Sequence, residues 1–169
     1  MTLNDDALIK KDRLRFTRNK LSANLTLLAI VFNAIYFVSI YTSDVGNYYY
    51  SIIIGASVVY NLLFMLVAFL ASEGVKGYKM MYAYALLVLG AGQIIRIFIL
   101  PTDARNATVQ LEMHEQIVMG NTQFIWVCAL LIASAVFCII AGIVGIIKTS
   151  TLVSYQAELE KEQKGAAHE

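Results

Sequence analysis

Four polar side chains interrupt long apolar stretches of this sequence: Asn33, Asn61, Gln93 and Arg96. Gln93 and Arg96 stand three residues apart, one turn of a helix, and pair an amide with a permanent cation. Arginine stays charged at any ordinary pH, and amides do not titrate. These residue types therefore recognise and bind; they do not shuttle protons. Asn33 and Asn61 are equidistant from Asn47 in the sequence. A turn near residue 47 thus brings both to the same depth of a helical hairpin. Ser22, Thr26, Ala29, Asn33 and Tyr36 follow a 4-3-4-3 spacing that makes one helix face, and Ser57, Asn61, Ala68 and Ser72 make a matching face. Two readings of the four residues stand side by side. They line a path for a polar substrate or ion, or they hydrogen-bond between helices, which contributes roughly 0.6–2 kcal/mol per bond in a membrane.

No other constellation carries chemistry. There is no Walker A loop, GxSxG, HExxH or CxxC. No catalytic residue, cofactor or metal site is expected. His114 beside Glu112 and Glu115 is the nearest approach to a metal cluster, and in a loop it reads as a solvated turn. Cys128 and Cys138 lie ten apart, on different helix faces, and read as small packing residues.

The elements that must position these residues follow from composition. Of the 169 residues, 59% are hydrophobic and 15% charged, against about 45–50% and about 25% in soluble domains. That excludes a water-soluble domain, a disordered chain and a nucleic-acid binder, and it makes the lipid bilayer the first partner. Runs of 23, 28 and 32 residues carry no charge, and a further run of 23 carries only Arg96. Each suffices for one helix of about 20 residues across the bilayer core, and none for two. Runs such as Ile52-Ile53-Ile54 lack the alternation of a membrane barrel. The fold expected is an all-α, four-helix transmembrane bundle over 22–147, with spans near 22–42, 51–71, 80–100 and 122–147. A small external loop or β-hairpin is expected between the third and fourth, where 108–113 alternates and Ile117-Val118-Met119 follows His114-Glu115-Gln116.

Eleven of the thirteen Lys and Arg flank the spans on one side, Arg105 stands on the other, and Arg96 lies within a span. The positive-inside rule then puts both termini in the cytoplasm. The apolar run that follows the polar N-terminal segment is too long for a signal core, so the first span is expected to be retained. Residues 1–21 read as a basic flank, or as a short helix on the inner leaflet. Residues 148–169, with Glu158–Lys161 and Glu160–Lys164 at helical spacing, read as a charged helical tail. Tyr48-Tyr49-Tyr50, Phe124 and Trp126 read as interfacial aromatics, and Asn106-Ala107-Thr108 matches a glycosylation sequon.

In the fourth span Ser134, Cys138 and Gly142 repeat every four residues, with Ala141 and Gly145 as a second small pair. Such stripes let helices approach closely, inside the bundle or against a partner. Arg96 is expected to face the interior or the outer interface, with Gln93 beside it and Asp103 or Asp44 as counter-charge. These features point to a non-enzymatic accessory or scaffolding subunit working through helix contacts with a membrane partner or a second copy. The alternative is a small oligomeric channel or carrier with a path lined by Asn33, Asn61, Gln93 and Arg96.

Overall fold

The computed structural model describes residues 3–41, 51–106, 108–111, 114–117 and 119–166. Among the described residues six helices carry the fold: α1 Leu3–Phe16, α2 Lys20–Tyr41, α3 Ser51–Lys76, α4 Met80–Ile97, α5 Leu100–Asn106 and α6 Asn121–Ala166. Four helical stretches are long and apolar enough to cross a membrane: α2, α3, the run through α4 and α5, and α6. A multi-pass membrane-embedded protein follows from their length and composition. With no water to satisfy backbone groups in hydrocarbon, continuous helices are the arrangement this composition allows.

The crossing helices pack in ring order: α2 on α3, α3 on α4, α4 on α6 and α6 back on α2. Asn19, at the start of α2, donates its backbone N–H to the Lys76 carbonyl at the end of α3, so the two run antiparallel. The buried face of α2 is Ser22, Ala23, Thr26, Ala29, Asn33, Tyr36 and Ile40. Three apolar layers stack along the bundle. Tyr36, Ile40, Leu100, Ala104, Met119 and Leu131 close one end. Ala29, Phe64, Ala68 and Cys138 fill the middle, and Ala71, Val75, Ala83, Leu86 and Ala141 close the other end.

The seams are tight because small residues face each other. A Cβ added to Gly142 would stand 2.8 Å from Leu87 Cδ2 and 2.9 Å from the Ala83 carbonyl oxygen. One on Gly145 would meet Val75 at 2.8 Å and Ala83 at 3.0 Å. Hydroxyls stitch the same seams: Ser134 donates to the Ala29 carbonyl at 2.9 Å, and Ser72 to the Ala23 carbonyl at 3.2 Å. Ser22 donates to the Ala141 carbonyl. The stripe Ser134, Cys138, Ala141, Gly142 and Gly145 is therefore used within the bundle, against α2, α3 and α4.

The third span is interrupted after Ile97. Phe98 and Ile99 donate to the carbonyls three residues back, of Ile95 and Arg96, and α5 begins at Leu100. Pro101 has no N–H for the Ile97 carbonyl four residues earlier. The Thr102 hydroxyl takes that acceptor at 2.8 Å. At the opposite end, residues 77–79 turn the chain from α3 into α4, with Tyr78 in the left-handed region at φ 57°.

The expected hairpin between the third and fourth spans is not supported as an element of the fold. The backbone of Thr108–Leu111 pairs antiparallel with His114–Ile117 and, among the described residues, with no other strand. A lone two-stranded ribbon is marginally stable in water, and the architecture is all-helical. Residues 42–50, with the expected turn and the three tyrosines, lie outside the described residues, as do Ala107 of the sequon and Glu112.

The tail continues the fourth span without a break, since α6 runs 46 residues, about 69 Å at 1.5 Å per residue. Helix α1 packs on its far portion, where Leu152 and Tyr155 are buried and the Tyr155 hydroxyl donates to Asp12 Oδ1 at 3.5 Å.

Packing at the small-residue seam is open to measurement. Gly142→Val forces a side chain against the backbone of α4, and overpacking of this kind costs about 1–3 kcal/mol. Gly55→Val adds a side chain where nothing lies within 4 Å. Thermal unfolding in detergent should show a clear fall in Tm for the first variant and little change for the second. Equal melting of the two variants would contradict the seam.

Candidate functional site

The four polar residues meet in one knot between the middle layer and the layer that contains Tyr36. Asn33 comes from α2, Asn61 from α3, and Gln93 and Arg96 from successive turns of α4. Asn33 Nδ2 donates to Asn61 Oδ1 at 3.0 Å, and Gln93 Nε2 donates to Asn33 Oδ1 at 3.0 Å. Arg96 Nη1 donates to both amide oxygens, of Asn33 and of Asn61, at 3.1 Å each. Asn33, Asn61 and Gln93 are fully buried, and Arg96 is 5% exposed.

Two tyrosine rings complete the surround. The Arg96 guanidinium carbon lies 4.4 Å from the Tyr36 ring centroid and 5.1 Å from that of Tyr60. A cation over an aromatic face is worth up to about 2 kcal/mol when desolvated. A central arginine in a bilayer costs about 3 kcal/mol even by the mildest scale. Amide oxygens and ring faces offset that cost here, and among the described residues no carboxylate bonds to Arg96.

Arg96 forms no ion pair with Asp103, contrary to expectation. Asp103 is exposed on α5, beyond the break at Phe98–Ile99, while the guanidinium is held inward by the two asparagines. Asp44, the other expected counter-charge, lies outside the described residues.

The knot is not fully satisfied. Among the described residues, Arg96 Nη2, Asn61 Nδ2 and Gln93 Oε1 have no hydrogen-bond partner, nor does the nearby Ser57 Oγ. A cavity of about 630 Å³ opens beside them, between the α3 and α4 helices and α5. Ser57, Tyr60 and Arg96 line it with apolar neighbours such as Ala56 and Ile99, and Asp103 is also on its wall. Its volume falls in the range of small-molecule sites, about 300–1,000 Å³. Gly92 lets the wall close in, because a Cβ there would stand 2.7 Å from the Tyr60 hydroxyl.

Two participants carry weak sequence signals. Tyr60 faces the guanidinium, yet an aromatic one residue before Asn61 has nothing to set it apart from other span tyrosines. Asn19 is fully buried. Its Oδ1 accepts the Ser22 backbone N–H at 3.4 Å and Lys148 Nζ at 3.2 Å. An Asn just ahead of an apolar run is an N-cap signal, and Asn19 could have been found that way.

The knot predicts unequal costs. Gln93→Leu removes one amide bond, and membrane hydrogen bonds average about 0.6 kcal/mol. Asn33→Leu removes an acceptor from a buried guanidinium, and bonds to charged groups are worth about 1.5–3 kcal/mol. Since the residues share partners, their effects should not add. Unfolding in detergent should show the larger loss for Asn33→Leu, with a substantial part recovered when Arg96→Leu is added to it. Strict additivity would show that the residues do not act as a unit.

Compared with known proteins, this chain matches no family model, no curated protein and no solved structure, so the knot and the cavity beside it carry the functional reading.

Proposed function

We propose that this protein is a non-enzymatic accessory or scaffolding subunit of a membrane assembly, acting through helix contacts with a membrane-protein partner or a second copy. One observation carries the reading. Asn33, Asn61, Gln93 and Arg96 bond to one another, Ser134 bonds to the Ala29 carbonyl, and Ala29, Phe64, Ala68 and Cys138 fill the layer beneath the knot. That arrangement favours a packed bundle over a polar file through a single chain. The α6 helix adds a surface beyond the bundle, because it continues past Lys148 as a charged rod with α1 along it.

The α2 start, the α3 end and Lys148 of α6 lie at one end of the bundle, since Asn19 bonds to Lys76 and to Lys148. The eleven Lys and Arg gathered at that end support a cytoplasmic placement of both termini. Cysteines introduced as Asn47→Cys and Gln110→Cys should then react with an impermeant thiol reagent applied to intact cells. Labelling only after permeabilisation would reverse the orientation.

The scaffold reading is tested by reconstitution and crosslinking. Purified chain in vesicles should conduct no ion or small polar solute above the protein-free baseline. A photo-crosslinker replacing the exposed Val153 on α6 should join the chain to another polypeptide or to a second copy in native membranes. Flux that disappears with Arg96→Leu, in a variant that still folds, would establish the channel or carrier alternative instead.

A further inference from the structure

The α3–α4 cavity has an almost wholly apolar wall and one free charge. Ala56, Ile95, Ile99 and Leu100 supply hydrocarbon, and Tyr60 supplies a ring. Arg96 and Ser57 also belong to the wall, but Arg96 Nη2 and Ser57 Oγ are buried atoms, closed to anything that enters. Arg96 Nη1 is taken by the two asparagine oxygens, and two tyrosine rings flank the guanidinium. An anion in the cavity would find neither Nη2 nor the serine hydroxyl open to it.

Asp103 is the remaining charge on the wall. It is exposed, and among the described residues it has no ion pair. The sequence around it supplies little counter-charge. Segments 42–50 and 98–120 join the spans at this end, and they hold Asp44, Asp103, Glu112 and Glu115 against Arg105 as their single Lys or Arg. The Arg105 guanidinium carbon lies over the Phe124 ring, 4.6 Å from its centroid. An end of the bundle with that charge balance attracts cations.

Small-molecule sites are mostly apolar, with a few polar groups that fix orientation. An exposed carboxylate on the wall of an apolar cavity selects a compact ammonium carried on an apolar body. The bond between them is charge-assisted, and their attraction grows as water is excluded. We infer that the α3–α4 cavity is a binding site for a lipophilic amine, with its apolar body against Ala56, Tyr60 and Ile99 and its ammonium at Asp103. The site depends neither on the scaffold reading nor on which side of the membrane the termini occupy.

Isothermal titration of the full chain in a non-ionic detergent, at neutral pH, tests this with three probes of one shape. The first is diphenylpropylamine with both rings on its terminal carbon, and the others are the matching alcohol and the matching carboxylate. The amine should bind one per chain, at least tenfold more tightly than the alcohol, with the carboxylate weakest. Asp103→Asn should lower amine affinity at least tenfold and leave the alcohol unchanged. Glu158→Gln, which removes a charge from the exposed α6 tail instead, should change neither. Ala56 is exposed, so Ala56→Phe fills the cavity without entering the knot and should weaken amine and alcohol alike while Tm holds. Absence of saturable amine binding would overturn the inference, as would an amine bound no more tightly than the alcohol. So would Asp103→Asn or Ala56→Phe with undiminished amine affinity. Tightest binding of the carboxylate would assign the cavity to an anion and overturn it equally.

Discussion

A guanidinium held inside a helix bundle by two amide oxygens is the constraint on which the rest of this structure turns. Arg96 cannot shed its charge, and a cation facing hydrocarbon is penalised heavily. Asn33 and Asn61 each accept from it, and Asn33 also ties Asn61 and Gln93. Three helices meet at one point. Their relative rotation is fixed there, because turning any of them would move its amide out of reach of the charge. Their relative depth is fixed too, since one residue of slip displaces a side chain by 1.5 Å along the axis.

Close approach makes such a knot possible, and small residues make close approach possible. Ser22, Ala29, Ala83, Gly90, Ala141, Gly142 and Gly145 bring backbones together at the α2–α6 and α4–α6 seams. In lipid there is little hydrophobic drive between helices, so packing and hydrogen bonds do the joining. The α3–α4 seam is different in kind. Near Arg96 it opens into the cavity, whose wall includes Ser57, Tyr60, Arg96 and Asp103 among apolar side chains. At the far end Asn19 is the second fastening point: its backbone N–H holds the α3 end, and its side chain accepts from the α2 start and from Lys148 of α6.

Much of this was legible in the sequence, for physical reasons. Charge-free runs of bilayer length reveal spans because hydrocarbon tolerates so few charges. The stripe through Ser22, Asn33 and Tyr36 predicted the buried face of α2, since a helix repeats every 3.6 residues regardless of context. The equal spacing of Asn33 and Asn61 from residue 47 placed them at one depth. Partners across helices were less legible. Asp103 was the nearest acid in sequence to Arg96, but the Phe98–Ile99 break and Pro101 redirect the chain, and two neutral amides take the role. Tyr60 gave no signal, because its position on the guanidinium depends on how α3 and α4 cross. The alternation at 108–117 suggested a hairpin over the bundle, yet four-residue strands paired only with each other add no layer to the fold.

The unbroken course of α6 has a mechanical meaning. No proline interrupts the helix between Asn121 and Ala166. From Lys148 to Ala166 it extends roughly 27 Å. From Ala141 to Ala166 the arm is about 37 Å, so a tilt of about 5° at the Ser22–Ala141 seam displaces the tip by roughly 3 Å. The helix that seals the bundle against α2 and α4 is thus also a lever. Any tilt at the buried small residues moves the charged end, where α1 packs, further than it moves the seam itself.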